Sequence, residues 1–175
     1  MGWNGLKAEG PLELNMDMVR GDETPIEIIR LAYGMEDSLG GFYRSVQTRT
    51  QDSELAHLLE MLIGAEDKHK QYLFELQKSL EPSGVSRETF EADVSPKVME
   101  GGFDSDLFIK QNEKFLNDVP SVLDLSMMLE TQALDLYLRF ADKSQNRETK
   151  DVLHKIGDEE KSHLAALDKL RDKKT

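Results

Sequence analysis

The sequence contains no cysteine. That excludes disulfides, thiolate zinc sites, iron–sulfur clusters, cysteine-held iron and any thiol nucleophile within the chain. It also lacks any run of about 18 apolar residues, and residues 1–10 lack the apolar segment of a secretory signal, so neither a membrane span nor an export signal is predicted. Basic residues are in short supply, with 22 Lys and Arg against 34 Asp and Glu and a net charge of -12. Such a chain has no basic stripe to release counterions from phosphate and is repelled by an anionic bilayer, so neither nucleic acid nor membrane is an expected partner. Cations are its natural small ligands, and the expected location is cytoplasmic. Prolines are few as well, five in 175 residues, and 38% of residues are hydrophobic, enough to build the core of one folded domain.

Residues 1–23 carry scattered glycines without sustained periodicity and read as a lead-in or linker. A domain is predicted over 24–175. Thr24 followed by Pro25 is a helix start, and Ile29, Ala32, Tyr33, Leu39 and Tyr43 recur at helical spacing towards residue 48. Asp52 caps a second helix with Leu55, Leu59, Leu62, Ile63, Leu73 and Leu76 on its apolar face, ending before Pro82-Ser83-Gly84. The short turn between them makes these two helices antiparallel neighbours. Residues 81–119 form a long connector, with helical pieces at 86–92 and 104–115, and a connector of that length crosses the molecule. Asp118 with Pro120 opens a third helix to about residue 142, and Asn146 caps a fourth. The expected fold is all-α, an antiparallel four-helix bundle with one long crossover between helices two and three.

Adding 94 to each residue number lays the first helix pair (24–80) on the second (118–174) without a gap, and both N-caps coincide: Thr24 on Asp118, Asp52 on Asn146. The helix pairs are therefore an internal duplication. Among the few identities it keeps are Glu36 with Glu130, Tyr43 with Tyr137, Glu66 with Glu160 and His69 with His163. Residues three apart share a helix face, so Glu66-x-x-His69 and Glu160-x-x-His163 each aim a carboxylate and an imidazole at one point. Both pairs lie on apolar stripes. Glu36 and Glu130 interrupt the apolar faces of the other two helices.

Four glutamates and two histidines are thus predicted to meet in one core. Burying an ionised carboxylate costs several kcal/mol unless it is paired, and no lysine or arginine shares these faces. Two divalent cations would neutralise four carboxylates. Two bridging glutamates, with one terminal glutamate and one histidine for each metal, would complete the coordination.

Through Glu36 with Tyr43, Glu66-Asp67-Lys68-His69, Glu130 with Tyr137, and Glu160-Lys161-Ser162-His163, residues 24–170 resemble the rubrerythrin-like branch of the ferritin-like superfamily. The resemblance implies two irons held between the helices, which react with hydrogen peroxide or, in relatives, with dioxygen during Fe(II) oxidation. It also implies that Tyr43 and Tyr137 hydrogen-bond ligand carboxylates, although both also suit plain core aromatics. Two departures stand out. Peroxide-reducing members carry a further glutamate three residues after the third-helix ligand, where this chain has Ala133, which shifts the expectation towards a ferroxidase or oxygen-reactive site. The cysteine-ligated rubredoxin module is also missing, so electrons would come from a separate protein. The opening Trp3-Asn4-Gly5 to Glu9-Gly10-Pro11 resembles the end of rhodanese modules fused ahead of such domains.

The other candidates read as bland. His57 and His154 are expected at the surface, and Met35, Met61, Met127 and Met128 as core filler. Glu159, Asp67 and Asp158 fall off the ligand face and are expected in solvent. Asp104 and Asp106 lack the spacing of a calcium loop. The main expectation is a di-iron oxidoreductase. A protein that binds or delivers iron without turnover is the alternative, and a metal-free bundle the third. The ligand set also accepts manganese or zinc. A duplicated bundle with self-complementary faces is expected to form a homodimer, with helices exchanged across the long connector.

Overall fold

The computed structural model describes residues 23–81, 84–94, 98–99 and 103–174. Residues 1–22 of the lead-in, on which the expected resemblance to rhodanese modules falls, lie outside them. Four long helices carry the fold: α1 (Pro25–Gln47), α2 (Ser53–Leu80), α5 (Val119–Lys143) and α6 (Arg147–Lys174). Between α2 and α5 the crossover contains α3 (Arg87–Asp93), a two-residue antiparallel ladder of β1 (Val98–Met99) with β2 (Phe103–Asp104), α4 (Ser105–Gln111) and a 3-10 turn at Glu113–Phe115.

Each long helix starts where its cap dictates. Thr24 forms a capping box with Glu27, Asp52 accepts from the amides of Glu54 and Leu55, Asp118 accepts from Ser121, and Asn146 accepts from Thr149 at 2.8 Å. Each cap satisfies amides that a first helical turn leaves without partners. At the far end of α6, Lys173 and Lys174 reach Glu54 and Asp52 and tie the last helix to the start of α2.

Helix α1 pairs with α2, and α5 with α6, as antiparallel hairpins. The hairpins dock through α2 on α6 and α1 on α5. Both docked pairs are also antiparallel, since Glu66 approaches His163 while His69 approaches Glu160, and Tyr43 meets Glu130 while Tyr137 meets Glu36. This up-down-down-up order requires α5 to begin at the end opposite to where α2 stops. The crossover spans that length along α1, with Phe90 of α3 against Tyr33 and Phe108 of α4 against Phe42.

Two apolar cores fill the bundle. One gathers Leu39, Phe42, Leu55, Leu59, Leu62, Leu123, Leu129 and Leu167, and the other Ile29, Ala32, Leu73, Phe74, Phe140, Leu153 and Ile156. Between them lies a polar layer. Met35 is buried, and Met127 and Met128 pack partly buried against the first core, but Met61 is exposed. Met61 lies off the apolar stripe of α2, and its expected core role is corrected here. His57 and His154 are exposed.

Candidate metal centre

The polar layer is built by the helix phase. Glu36 follows Ala32 on α1 and precedes Leu39, so the period that buries those residues buries the carboxylate with them. The same holds for Glu66 and His69 on α2, Glu130 on α5 and Glu160 on α6, none more than 1% exposed, while the His163 side chain is 11% exposed. All six polar residues singled out in the sequence meet in this layer.

His69 Nδ1 lies 3.3 Å from Glu36 Oε2, 3.2 Å from Glu66 Oε2 and 3.2 Å from Glu160 Oε1. His163 Nδ1 lies 2.8 Å from Glu160 Oε2, 3.5 Å from Glu130 Oε2 and 4.0 Å from Glu66 Oε1. Two groups of possible ligands result, Glu36 with Glu66, His69 and Glu160, and Glu66 with Glu130 and His163, each with its donor atoms within 4.8 Å of one another. Glu66 belongs to both, and Glu160 turns one oxygen to each imidazole. The two imidazoles stack with centroids 5.5 Å apart.

The tyrosines cross between the repeats. Tyr43 donates to Glu130 Oε1 at 2.5 Å, and Tyr137 donates to Glu36 Oε1. Each hydroxyl fixes one oxygen of a glutamate from the other half and leaves its second oxygen facing the layer. Glu159 departs from its expected place in solvent. Its Oε2 lies 3.3 Å from His69 Nε2, with the side chain 34% exposed. Helical phase alone could not show this, because Glu159 is one residue off the ligand face and reaches a histidine of another helix. The one signal in the sequence is that its repeat partner is Ala65.

Among the described residues no lysine or arginine neutralises the layer. Lys70 is buried beside it, but its ammonium is engaged by Asp37 at 2.9 Å and Asp67 at 3.0 Å. Glu66 Oε1 and Oε2, Glu130 Oε2 and Glu160 Oε1 are sealed from solvent and accept no hydrogen bond. Protons answer part of the charge. Burial raises Glu66 well above the usual carboxylate range, helped by the negative charge of Glu36, and burial raises Glu130 to about 8. Burial opposes charge on both histidines, but the surrounding carboxylates outweigh it, lifting His69 far above 6.5 and His163 to about 9. Burial also pushes Glu160 up, yet the adjoining Glu130, His163 and His69 side chains hold it below its ordinary value. Burial and the adjacent carboxylates raise both tyrosines well above 10, so they remain donors. Oxygens without partners and imidazole nitrogens, converging in a dry layer, are the donor set of iron, manganese and zinc, and the residues present fit such ions.

An antiparallel helical bundle of ferritin-like form, with a buried glutamate–histidine cluster able to hold metal, is the class of protein that fold and site define. The Rubrerythrin family model matches residues 27–171, and the chain belongs to that family. No curated protein and no solved structure matches it. No helix among the described residues is long and apolar enough to cross a membrane.

Proposed function

We propose that this protein is a di-iron oxidoreductase. Glu36, Glu66, His69 and Glu160 would hold one ion, and Glu66, Glu130 and His163 the other, with Glu160 turning an oxygen towards each imidazole. The observation that carries the proposal is the four buried carboxylate oxygens without hydrogen-bond partners facing two imidazoles. Evolution has no stability reason to keep such oxygens in a core, where each costs free energy unless a cation meets it. Bound iron would supply electron exchange with hydrogen peroxide or dioxygen. The chain's own part is to hold the carboxylates in place through Tyr43 and Tyr137, to exclude water with the two apolar cores, and to keep protons on the layer within reach of a reduced oxygen species. Ala133 is buried where peroxide-reducing relatives have another carboxylate, which favours Fe(II) oxidation or oxygen chemistry over peroxide turnover. Electrons come from a separate protein, and the working form is a homodimer.

Metal analysis of protein purified without chelator tests the reading. About two irons per chain are expected, with a large loss in both Glu66→Ala and Glu160→Ala. Metal content that neither substitution changes would overturn it. Binding without repeated oxidation of Fe(II) would leave an iron-binding or delivery protein.

A further inference from the structure

The two halves of the duplication are alike in the layer and unlike around it. Beside His69 the surface is closed. Glu159 Oε2 lies against Nε2, the Tyr72 ring leans on the imidazole with centroids 6.4 Å apart, and the Lys155 ammonium sits 3.6 Å from the centroid of Tyr72. The His69 side chain has no exposed surface.

The duplication places two smaller residues and a half-exposed methionine at the matching positions beside His163. Glu159 corresponds to Ala65, Tyr72 to Ala166 and Lys155 to Met61, which borders the space this leaves. Gly64 stands where the other half has Asp158, and a Cβ built on it meets nothing within 4 Å. These exchanges leave a depression of about 480 Å³ between α2 and α6, lined by Gly64, Ala65, Ala166 and His163 and rimmed by Glu60 and Glu159. The exposed edge of His163 is the only part of the six-residue cluster that more than trace solvent reaches.

We infer that divalent cations enter and leave the cluster through this depression above His163, and that the His69 side is shut. The inference rests on the reading of the cluster as a metal centre. Cations suit the route: Glu60 and Glu159, the latter also against His69, put carboxylates at its rim, and the imidazole at its base belongs both to the path and to the cluster. Lys68 also borders the opening, and the acidic rim outnumbers it.

The test is stopped-flow uptake of Co(II) by the full metal-free chain, with chelator extraction as the reverse measurement. Gly64→Leu fills the depression where open space exists and improves a helix position, so it is expected to fold. Ala166→Tyr restores the plug of the other half. Both are expected to slow uptake and extraction on the order of tenfold or more while leaving the final cobalt stoichiometry unchanged. Lys78→Gln, at an exposed position near the far end of α2 and away from both the cluster and the depression, is the control expected to keep the wild-type rate. Unchanged rates in both folded variants would overturn the route. A wild-type chain that binds no cobalt would instead overturn the metal centre itself.

Discussion

Replacing Glu66 by glutamine is expected to change the sign of its effect with metal. In the metal-free protein Glu66 is wholly buried, and both of its oxygens lack hydrogen bonds. Its carboxyl titrates near 4.5 when unfolded and well above that when folded, so the folded state binds the extra proton. A group of this kind lowers stability progressively as pH rises from the unfolded pKa towards the folded one. Each pH unit in that window costs about 1.4 kcal/mol, so holding the proton at pH 7 costs at most about 3 kcal/mol. Glutamine keeps the shape of the protonated acid without that cost. Glu66→Gln should therefore raise the metal-free melting temperature at pH 7 by up to roughly 6–12 °C, using about 2–4 °C per kcal/mol for a chain of this size. The gain should shrink towards zero at pH 4. With metal bound, the same change removes a proposed ligand and should lower the melting temperature. Calorimetry at two pH values, with and without Fe(II) or Co(II), reads all four corners. A variant destabilised equally in every corner would refute the argument, because it would make Glu66 an ordinary packing residue.

Tyr43→Phe and Tyr137→Phe preserve volume but leave Glu130 and Glu36 without their hydroxyl donors. Each is expected to weaken metal binding by roughly 10–100-fold in a chelator competition, and wild-type affinity in both would show that the phenols only fill space. Thr24→Ala removes the capping box of α1 and should cost about 1 kcal/mol in urea unfolding, with metal affinity unchanged because the cap lies three turns from Glu36.

The long helices were legible because their signals are local. Four side-chain caps and an apolar period of 3.6 residues stated where α1, α2, α5 and α6 begin and which faces they bury, and the caps formed as the sequence implied. The crossover was only partly legible. The helical piece expected over 104–115 is broken at Asn112, whose side-chain amide bonds the Phe108 carbonyl while its backbone leaves helical geometry. The two-residue strands had no alternation to read. The polar layer could be foreseen because the duplication repeats its members. The approach of Glu159 to His69 could not, since it joins two helices at a position the repeat does not share.

The crossing tyrosines also bear on how the protein assembles. Each hairpin can form from neighbours in sequence, but Tyr43 and Glu130 are 87 residues apart, and Tyr137 and Glu36 are 101 apart. Contacts that distant form only after the crossover has closed its loop, so they are late and slow. Neither hairpin owns a complete set of donors. A half-folded chain therefore offers a metal ion no finished cage, so under the proposed reading loading would double as a checkpoint on the docking of the two halves, with the ion as the latch between them.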